Sequence, residues 1–385
     1  MRVRLTLLLA LGLPVTACTS YHYDRLAPLD EIEELSALSR RSRKLPLVEG
    51  RVEVGRTGDG VPIHLAYVES PPRSDWLVVM IHGLLASHRS WEFMAAEIAS
   101  EHDLLLVDLL GCGRSDKPDP SVHGERLYSP ESSARFVLAA LRDRLAARGD
   151  RLAARGDRPN VAIVGHSLGG MVALRMLGSP ALRSEFPDEV EAIRRAVLIA
   201  PVDFAVEKKH PGFERLAKLS TFELRVASAS GILRELVAER MQEEMTDPHR
   251  MPRELADRRV AILGDDRQRA AAQAMIRQAV PFDANERPDW DAIERLVRDY
   301  GNVSAPTLIL WGARDETFGV AMGYKLRAQL PDARLHVLPG RKHSLQSEAP
   351  AECSRAVLWF VRTAGRGSPV VVDGAVEPRG EMLGE

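Results

Sequence analysis

The sequence predicts an α/β protein in which one mostly parallel sheet carries helices on both of its faces. Continuous apolar runs at 76–81 and 104–107, the latter within a predicted strand at 103–107, are typical of strands that are buried on both sides. Helical stretches separate such runs along much of the chain. This alternation indicates parallel strands that are joined by helical crossovers.

The individual elements follow from the same patterns. The first two strands, 51–56 and 62–68, flank a turn that is rich in glycine and aspartate, which indicates a hairpin. The other elements are expected as strands at 76–81, 103–107, 161–164, 194–200, 307–310 and 334–337, and as helices at 90–100, 131–148, 171–177, 319–329 and 350–363.

Length, composition and charge exclude several classes of protein. The 385 residues are 45% hydrophobic and 28% charged, which is ordinary for a globular protein. The formal net charge of −2 lacks the basic footprint of a nucleic-acid-binding protein, so no nucleic-acid partner is expected. The three cysteines, at 18, 112 and 353, are spaced too widely for a disulfide framework or a metal site.

The amino-terminal residues resemble a bacterial lipoprotein signal. A basic start at 1–4 precedes an apolar segment at 5–15, and small residues then lead to Cys18. The resemblance implies that Cys18 is acylated, that cleavage occurs before it, and that several acyl chains give a stable membrane anchor. It implies a place in the bacterial cell envelope, in the outer membrane where the organism has one, since Thr19 follows the cysteine. A plain secretory peptide with an incidental cysteine is the alternative.

The pattern divides the chain into six parts. They are a signal peptide (1–17), a tether (18–50), the first part of the core (51–201), a helical cap or lid (202–301), the second part of the core (302–364) and a disordered tail (365–385). The tether is expected to contain a short amphipathic helix at 30–43. Residues 144–150 are repeated as 151–157, which we interpret as a duplication that lengthens the exposed end of a helix or its loop.

One turn carries a chemical signal. The segment Gly165-His-Ser-Leu-Gly169 follows an apolar run and precedes a helix-forming stretch. Strand, glycine-flanked serine and helix form the context of a nucleophile elbow. The glycines allow close backbone approach around a strained serine, and the helix amino end favours developing negative charge. We therefore predict that Ser167 is a nucleophile, which requires a base and an orienting acid elsewhere in the chain.

Two other strand ends supply these partners, in the order acid and then histidine. Asp315 follows the strand at 307–310, and His343 follows the next predicted strand. The carboxyl ends of the strands are where the sites of open α/β sheets gather.

The chain resembles a member of the α/β-hydrolase superfamily. The motifs that carry the resemblance, within 51–364, are His82-Gly83, Gly165-His-Ser-Leu-Gly169, Trp311-Gly-x-x-Asp315, and His343 with Glu348-x-Pro350 beyond it. The resemblance implies an eight-stranded α/β-hydrolase fold in which Ser167 is the nucleophile, Asp315 the orienting acid and His343 the base. It assigns the stabilisation of the oxyanion to the backbone N–H groups of Leu84 and Leu168, and it implies no metal and no cofactor.

The resemblance also leaves an alternative acid. Some members of the superfamily use an acid after the preceding strand, which here is Asp203. Many members carry a histidine before the nucleophile, and the corresponding His166 is expected to be structural.

The resemblance also sets the expected reaction. We expect an esterase-like or lipase-like serine hydrolase that acts on a small-molecule carboxylic ester with an apolar part. Cap residues such as Met241, Met245 and Met251 either line an adaptable pocket or pack the cap on the core. A carbon–carbon bond hydrolase, a proline-type aminopeptidase or a cofactor-free perhydrolase would use the same three residues, since fold does not fix the substrate. A non-catalytic envelope lipoprotein is the alternative from another class.

Overall fold

The described part of the chain contains the predicted core and most of the predicted cap. The residues that the computed structural model describes are 22–153, 160–203, single positions between 216 and 227, 229–283 and 287–364. The predicted signal peptide, Cys18 and the predicted tail at 365–385 lie outside the described residues.

One eight-stranded sheet forms the centre of the described structure. Its strands are β1 (Val48–Arg56), β2 (Pro62–Glu69), β3 (Trp76–Ile81), β4 (Asp103–Val107), β5 (Asn160–His166), β6 (Ile193–Ile199), β7 (Thr307–Gly312) and β8 (Ala333–Leu338). Their spatial order is β1-β2-β4-β3-β5-β6-β7-β8. β2 runs antiparallel to both of its neighbours, and all the other pairs are parallel. The predicted mostly parallel sheet is confirmed.

Helices connect the strands and cover the sheet. The described α-helices are α1 (Glu33–Arg43), α2 (Ala95–Ala99), α3 (Pro120–His123), α4 (Pro130–Ala153), α5 (Leu168–Gly178), α6 (Pro180–Glu185), α7 (Pro187–Ala192), α8 (Ile232–Glu243), α9 (Arg253–Gly264), α10 (Asp266–Ala279), α11 (Trp290–Arg298), α12 (Ala321–Gln329), α13 (Leu345–Glu348) and α14 (Pro350–Thr363). Helices α8 to α11 lie between β6 and β7, in the segment predicted as a cap. None of the described helices has both the length and the hydropathy that crossing a membrane requires.

The two faces of the sheet bury separate apolar clusters. Along β3, Leu77 and Val79 join a cluster that includes residues of α4 and α5, whereas Val78 and Met80 join a cluster with α2 and α14. Successive side chains of a strand point to opposite faces. Because both faces of β3 are covered by helices, this strand is apolar at every position.

The predicted helix at 90–100 is wrong in its first half. Residues His88–Trp91 form a 3-10 turn, and α2 begins only at Ala95. Asp108 holds the start of this turn, because its carboxylate accepts the backbone N–H of His88 at 2.7 Å and lies 3.0 Å from the ring Nδ1. These contacts with Asp108 fix the backbone at His88 as the start of a 3-10 turn, so the α-helix begins later than the sequence pattern predicts.

The first copy of the duplicated segment is not an exposed helix end. Helix α4 continues through all of 144–150, and it presents Arg144 and Arg148, four residues apart, to the same neighbours. Arg148 is 5% exposed and pairs with Asp103 at 2.9 Å and with Glu69 at 3.3 Å. Arg144 also pairs with Glu69, at 3.1 Å. These ion pairs hold one face of this part of the helix against the sheet, whereas Ala146 and Ala147 are exposed. The end of the second copy lies outside the described residues.

Residues 22–44, which we call the strap, pack on the cap and the core, whereas the sequence predicts a tether here. Leu26 is 1% exposed within the apolar cluster of the cap, and Leu35 is 2% exposed within a cluster on the core side. The Ala27 carbonyl accepts the backbone N–H of Arg253, in α9, at 2.8 Å. The amphipathic helix of the prediction is present as α1. Its apolar face has a partner within the chain, which explains why the segment is not free.

We expect Leu35→Ala to destabilise the protein, because the Leu35 side chain fills the contact between α1 and the core. Truncation of a buried leucine leaves a cavity, so the free energy of unfolding in urea should fall by about 2–3 kcal/mol. Leu38→Ala, at a half-buried position of the same helix, is the matched control and should cost clearly less. Equal unfolding midpoints for the wild type and Leu35→Ala would show that the strap is unpacked in solution.

Candidate active site

Ser167 occupies the sharp turn between β5 and α5. Its backbone has φ 51° and ψ −117°, a conformation that residues other than glycine rarely adopt. The Ser167 N–H donates to the Ile199 carbonyl at 2.9 Å, which ties the turn to the end of β6. A backbone of this kind persists only where its surroundings impose it, and the neighbouring strand does so here.

Close backbone contacts require the glycines on either side of Ser167. A Cβ on Gly165 would overlap the Gly169 carbonyl, and a Cβ on Gly169 would overlap the carbonyl of Ile81 at the end of β3. Helix α5 therefore starts directly against β3, at a separation that only glycine allows. The glycine spacing in the sequence has this steric origin.

His343 joins Ser167 and Asp315 in a continuous chain of polar contacts. Asp315 follows β7 and His343 follows β8, and the parallel strands bring both ends to the edge of the sheet that carries Ser167. His343 Nε2 lies 3.1 Å from Ser167 Oγ, and His343 Nδ1 lies 2.8 Å from Asp315 Oδ2. All three residues are 4 to 6% exposed, so their polar groups interact in a largely water-free environment.

The other carboxylate oxygen of Asp315 is held by its own loop. Asp315 Oδ1 accepts the backbone N–H groups of Thr317 and Phe318, both at 2.9 Å. Asp203, the alternative acid, is buried with a different partner, because its Oδ1 accepts the hydroxyl of Tyr300 at 2.7 Å. The imidazole therefore has Asp315 as its carboxylate partner.

His166 packs against the histidine of the site. Its Nε2 donates to the His343 carbonyl at 3.3 Å, and the two ring centroids are 5.2 Å apart. Burial lowers the pKa of His166 to about 3, and the charge that His343 carries when protonated acts in the same direction. His166 is therefore neutral at physiological pH and supports the loop of His343.

The backbone N–H groups predicted to hold an oxyanion lie near Ser167. Leu168 is the first residue of α5, so its N–H has no acceptor within the helix. Leu84 follows Gly83, where a Cβ would lie 3.3 Å from the Cβ of Ser167. The loop after β3 therefore passes directly beside the serine.

Two cap residues reach the site although no sequence motif points to them. The Glu244 carbonyl, just after α8, accepts the backbone N–H of His343 at 3.1 Å. Arg259 of α9 donates two hydrogen bonds to the Glu244 carboxylate, at 2.7 and 2.9 Å. Glu244 and Ser344 are 100 residues apart in the chain, which puts this contact beyond the reach of any local pattern.

A cavity lies between the cap and the loop after β3. Met241, Met245, Met251 and Leu255 form part of its apolar lining, and Arg258 adds a polar group. The same methionines are buried in the apolar cluster of the cap. These methionines therefore both pack the cap and line the cavity.

Burial keeps the two described cysteines unreactive. It raises the pKa of Cys112 to about 12, and it also raises the pKa of Cys353. Both thiols are therefore protonated at neutral pH, and the thiolate is the reactive form. Within the described ranges, no group of three or more His, Cys, Asp or Glu side chains is arranged to hold a metal ion.

The motifs and the geometry agree with one protein family. The model of a family described as the alpha/beta hydrolase family matches residues 78–356. The chain belongs to the alpha/beta hydrolase family. One relative is the uncharacterized hydrolase YugF of Bacillus subtilis, which is 23% identical over 314 residues that cover 80% of this chain and 96% of the relative.

Solved structures of this kind share the fold. A 2-hydroxy-6-oxo-6-phenylhexa-2,4-dienoate hydrolase from a Rhodococcus species has a TM-score of 0.60 at 20% identity, over 83% of this chain and 100% of that one. An esterase from Exiguobacterium antarcticum has a TM-score of 0.56 at 16% identity, over 80% of this chain and 98% of that one. At these identities the likeness is one of fold, and it confirms the predicted α/β-hydrolase architecture.

We expect Gly169→Ala to disrupt this alpha/beta hydrolase, because the added methyl group would overlap the Ile81 carbonyl. The backbones of β3 and α5 would have to separate, at a cost of at least about 2 kcal/mol in the free energy of unfolding. Gly264→Ala is the matched control, since nothing lies within 4 Å of a Cβ at that position. Urea unfolding should separate the two variants, and equal losses would contradict the close-approach explanation.

Proposed function

We propose that the protein is a serine hydrolase that cleaves a carboxylic ester through an acyl-enzyme on Ser167. The observation that carries the proposal is the position of His343, which contacts Ser167 Oγ with one ring nitrogen and Asp315 Oδ2 with the other. A base held between a hydroxyl and a carboxylate is the arrangement that activates a serine. Membership of the alpha/beta hydrolase family and the fold shared with an esterase support the proposal.

In the proposed reaction, His343 Nε2 takes the Ser167 proton as Oγ attacks the ester carbonyl carbon. Asp315 holds the imidazole through Nδ1 and stabilises the imidazolium. The backbone N–H groups of Leu84 and Leu168 stabilise the oxyanion, each with about 3 kcal/mol. The imidazolium then protonates the leaving alcohol. A water molecule then gives a proton to the same nitrogen as its oxygen attacks the acyl carbon. The bond to Ser167 Oγ breaks, the imidazolium returns the proton to Oγ, and a carboxylic acid is released.

We place the apolar part of the ester under the cap. The cavity beside the loop after β3 adjoins Leu84 and is lined in part by methionines, whose side chains adapt to ligands of different shape. Charged groups such as Arg258 line another part of it. The apolar part of the lining favours a small-molecule ester with a lipid-like or aromatic acyl part. Hydrolysis rates for a series of esters with increasing acyl length would show which length fits the cavity.

We expect Ser167→Ala to abolish labelling by a fluorophosphonate probe and to lower the hydrolysis of p-nitrophenyl esters by at least about 10³-fold, because the nucleophile is lost. Ser100→Ala, at an exposed surface serine, is the matched control and should keep both activities. Esters of increasing acyl length, assayed on the wild type, report the capacity of the cavity. A wild type that neither labels nor hydrolyses any ester would favour a non-catalytic binding module.

Two further arms separate the remaining alternatives. Asp315→Asn should lower kcat by about 10⁴-fold, as expected for loss of the orienting carboxylate, whereas Asp203→Asn should retain most of it. The panel also includes a p-nitroanilide and 2-hydroxy-6-oxo-6-phenylhexa-2,4-dienoate. Faster turnover of the dienoate than of every ester would replace the ester assignment with carbon–carbon bond hydrolysis.

We also propose that Cys18 anchors the protein to a membrane of the bacterial cell envelope, on the strength of the signal-like residues before it. Cys18→Ser should move the protein from the membrane fraction to the soluble fraction, as judged by immunoblotting after fractionation. Cys112→Ser, at a buried thiol, is the control and should stay with the membrane. A Cys18→Ser protein that remains membrane-bound would contradict lipidation.

A further inference from the structure

The cap is hydrogen-bonded to the loop that carries His343. We call residues 244–246 the cap turn and residues 340–348 the histidine loop. The carbonyl of Glu244 accepts the backbone N–H groups of both His343 and Ser344, each at 3.1 Å. One cap residue therefore fixes the main chain at the histidine itself.

A second set of contacts joins the same two segments. Glu348 accepts the Thr246 backbone N–H at 2.7 Å with one carboxylate oxygen and the Lys342 backbone N–H at 2.9 Å with the other. The Thr246 hydroxyl also donates to the Gly340 carbonyl. The cap turn is thus bonded to the histidine loop on both sides of His343.

The Glu244 side chain adds a fixed negative charge next to this loop. Its Oε2 accepts the Ser344 hydroxyl at 2.9 Å, and both of its oxygens accept hydrogen bonds from Arg259. Burial alone would raise the pKa of Glu244, but the charge and hydrogen bonds of Arg259 lower it to about 2. Glu244 is therefore a buried carboxylate at neutral pH, and the charge of a protonated His343 favours that state as well.

We propose that Glu244 is a positioning residue for His343 through its carboxylate, which holds the histidine loop at Ser344 and places a fixed negative charge where it stabilises the imidazolium. This inference rests on the proposed serine hydrolase function. A charge in a poorly hydrated interior acts more strongly than one in water. A carboxylate near a histidine favours its protonated form, which is the form that exists while Ser167 attacks.

The other charged groups near His343 do not replace this carboxylate. Asp315 contacts Nδ1 on the opposite side of the ring from the serine, and His166 is neutral. Arg259 and Arg240 lie on the cap side, and each favours the ionised form of Glu244. Removal of the carboxylate alone would leave Arg259 without its ion pair, whereas Arg240 keeps its ion pair with Glu243. The imidazolium would therefore lose an attraction and gain a repulsion from Arg259.

The test is Glu244→Gln, which keeps the backbone carbonyl and the size of the side chain and removes the charge. The readout is the second-order rate of Ser167 labelling by a fluorophosphonate as a function of pH, together with kcat and KM for a p-nitrophenyl ester. A weaker base should lower the labelling plateau and kcat by about tenfold. The acidic limb of the profile should move to lower pH by at least about half a unit. Because Glu244 also lines the cavity, KM is compared for the shortest acyl chain of the series, for which it should change less than twofold.

Two companions separate positioning from loss of the fold. Glu243→Gln, at the exposed neighbour of Glu244, removes the ion-pair partner of Arg240 but keeps the buried carboxylate, and it should leave the profile unchanged. The double variant Glu244→Gln/Arg259→Met removes both charges of the Glu244–Arg259 ion pair, so neither is left buried without its partner. It should therefore fold, and it should still show the lowered rate and an acidic limb at lower pH.

The possible outcomes each decide a claim. A reactive wild type whose rate and acidic limb are unchanged in Glu244→Gln would overturn the inference alone. A rate that falls only in proportion to the fraction of folded protein, with an unmoved limb, would also overturn it. A wild type that does not react at any pH would overturn the proposed function, and this inference with it.

Discussion

The close approach of β3 to the start of α5 is the constraint on which the rest of the site depends. Gly169 brings the helix against the Ile81 carbonyl, and this contact helps to hold Ser167 in its strained conformation. Gly312 makes a similar approach at the end of β7, where a Cβ would overlap the carbonyl of Lys342. Backbone contacts at two strand ends thus set the distance between the serine and the histidine before any side chain is placed.

The site is buried, and this makes the pairing of its charges important. A carboxylate removed from water is costly unless hydrogen bonds and an opposite charge compensate it. Asp315 is compensated by two backbone N–H groups and the imidazole, and Glu244 by Arg259 and Ser344. The two carboxylates come from different parts of the chain, one from the core and one from the cap. The cap is therefore a component of the site as well as its cover.

The sequence predicts what local patterns determine. The glycine neighbours of Ser167 predict it as the nucleophile, and the positions of Asp315 and His343 after strands predict them as its partners, because in a parallel sheet the strand ends meet at one edge. The eight-stranded fold follows from the resemblance to a known superfamily, and the order of its strands is seen only in the structure. Asp203 shows the limit of this reasoning, since it also follows a strand and only the coordinates show that its hydroxyl partner is Tyr300.

Contacts between distant segments leave no comparable pattern. The contact between Glu244 and the histidine loop depends on how helices α8 and α9 pack on the core. The sequence does not indicate it, because a charged residue at a helix end usually faces water. The strap is an intermediate case. The amphipathic pattern at 30–43 indicates that this helix packs on an apolar surface, but it does not indicate which surface that is.

The packing of the strap also changes where the folding unit starts. A chain shortened to Val48, the first residue of the sheet, would keep every strand and every residue assigned a chemical step. It would nevertheless uncover the apolar surfaces that Leu26 and Leu35 shield on the cap and the core. Exposed patches of this kind favour self-association. A shortened form that aggregates would thus reflect a missing internal contact, and the strap belongs with the hydrolase when its limits are chosen for expression.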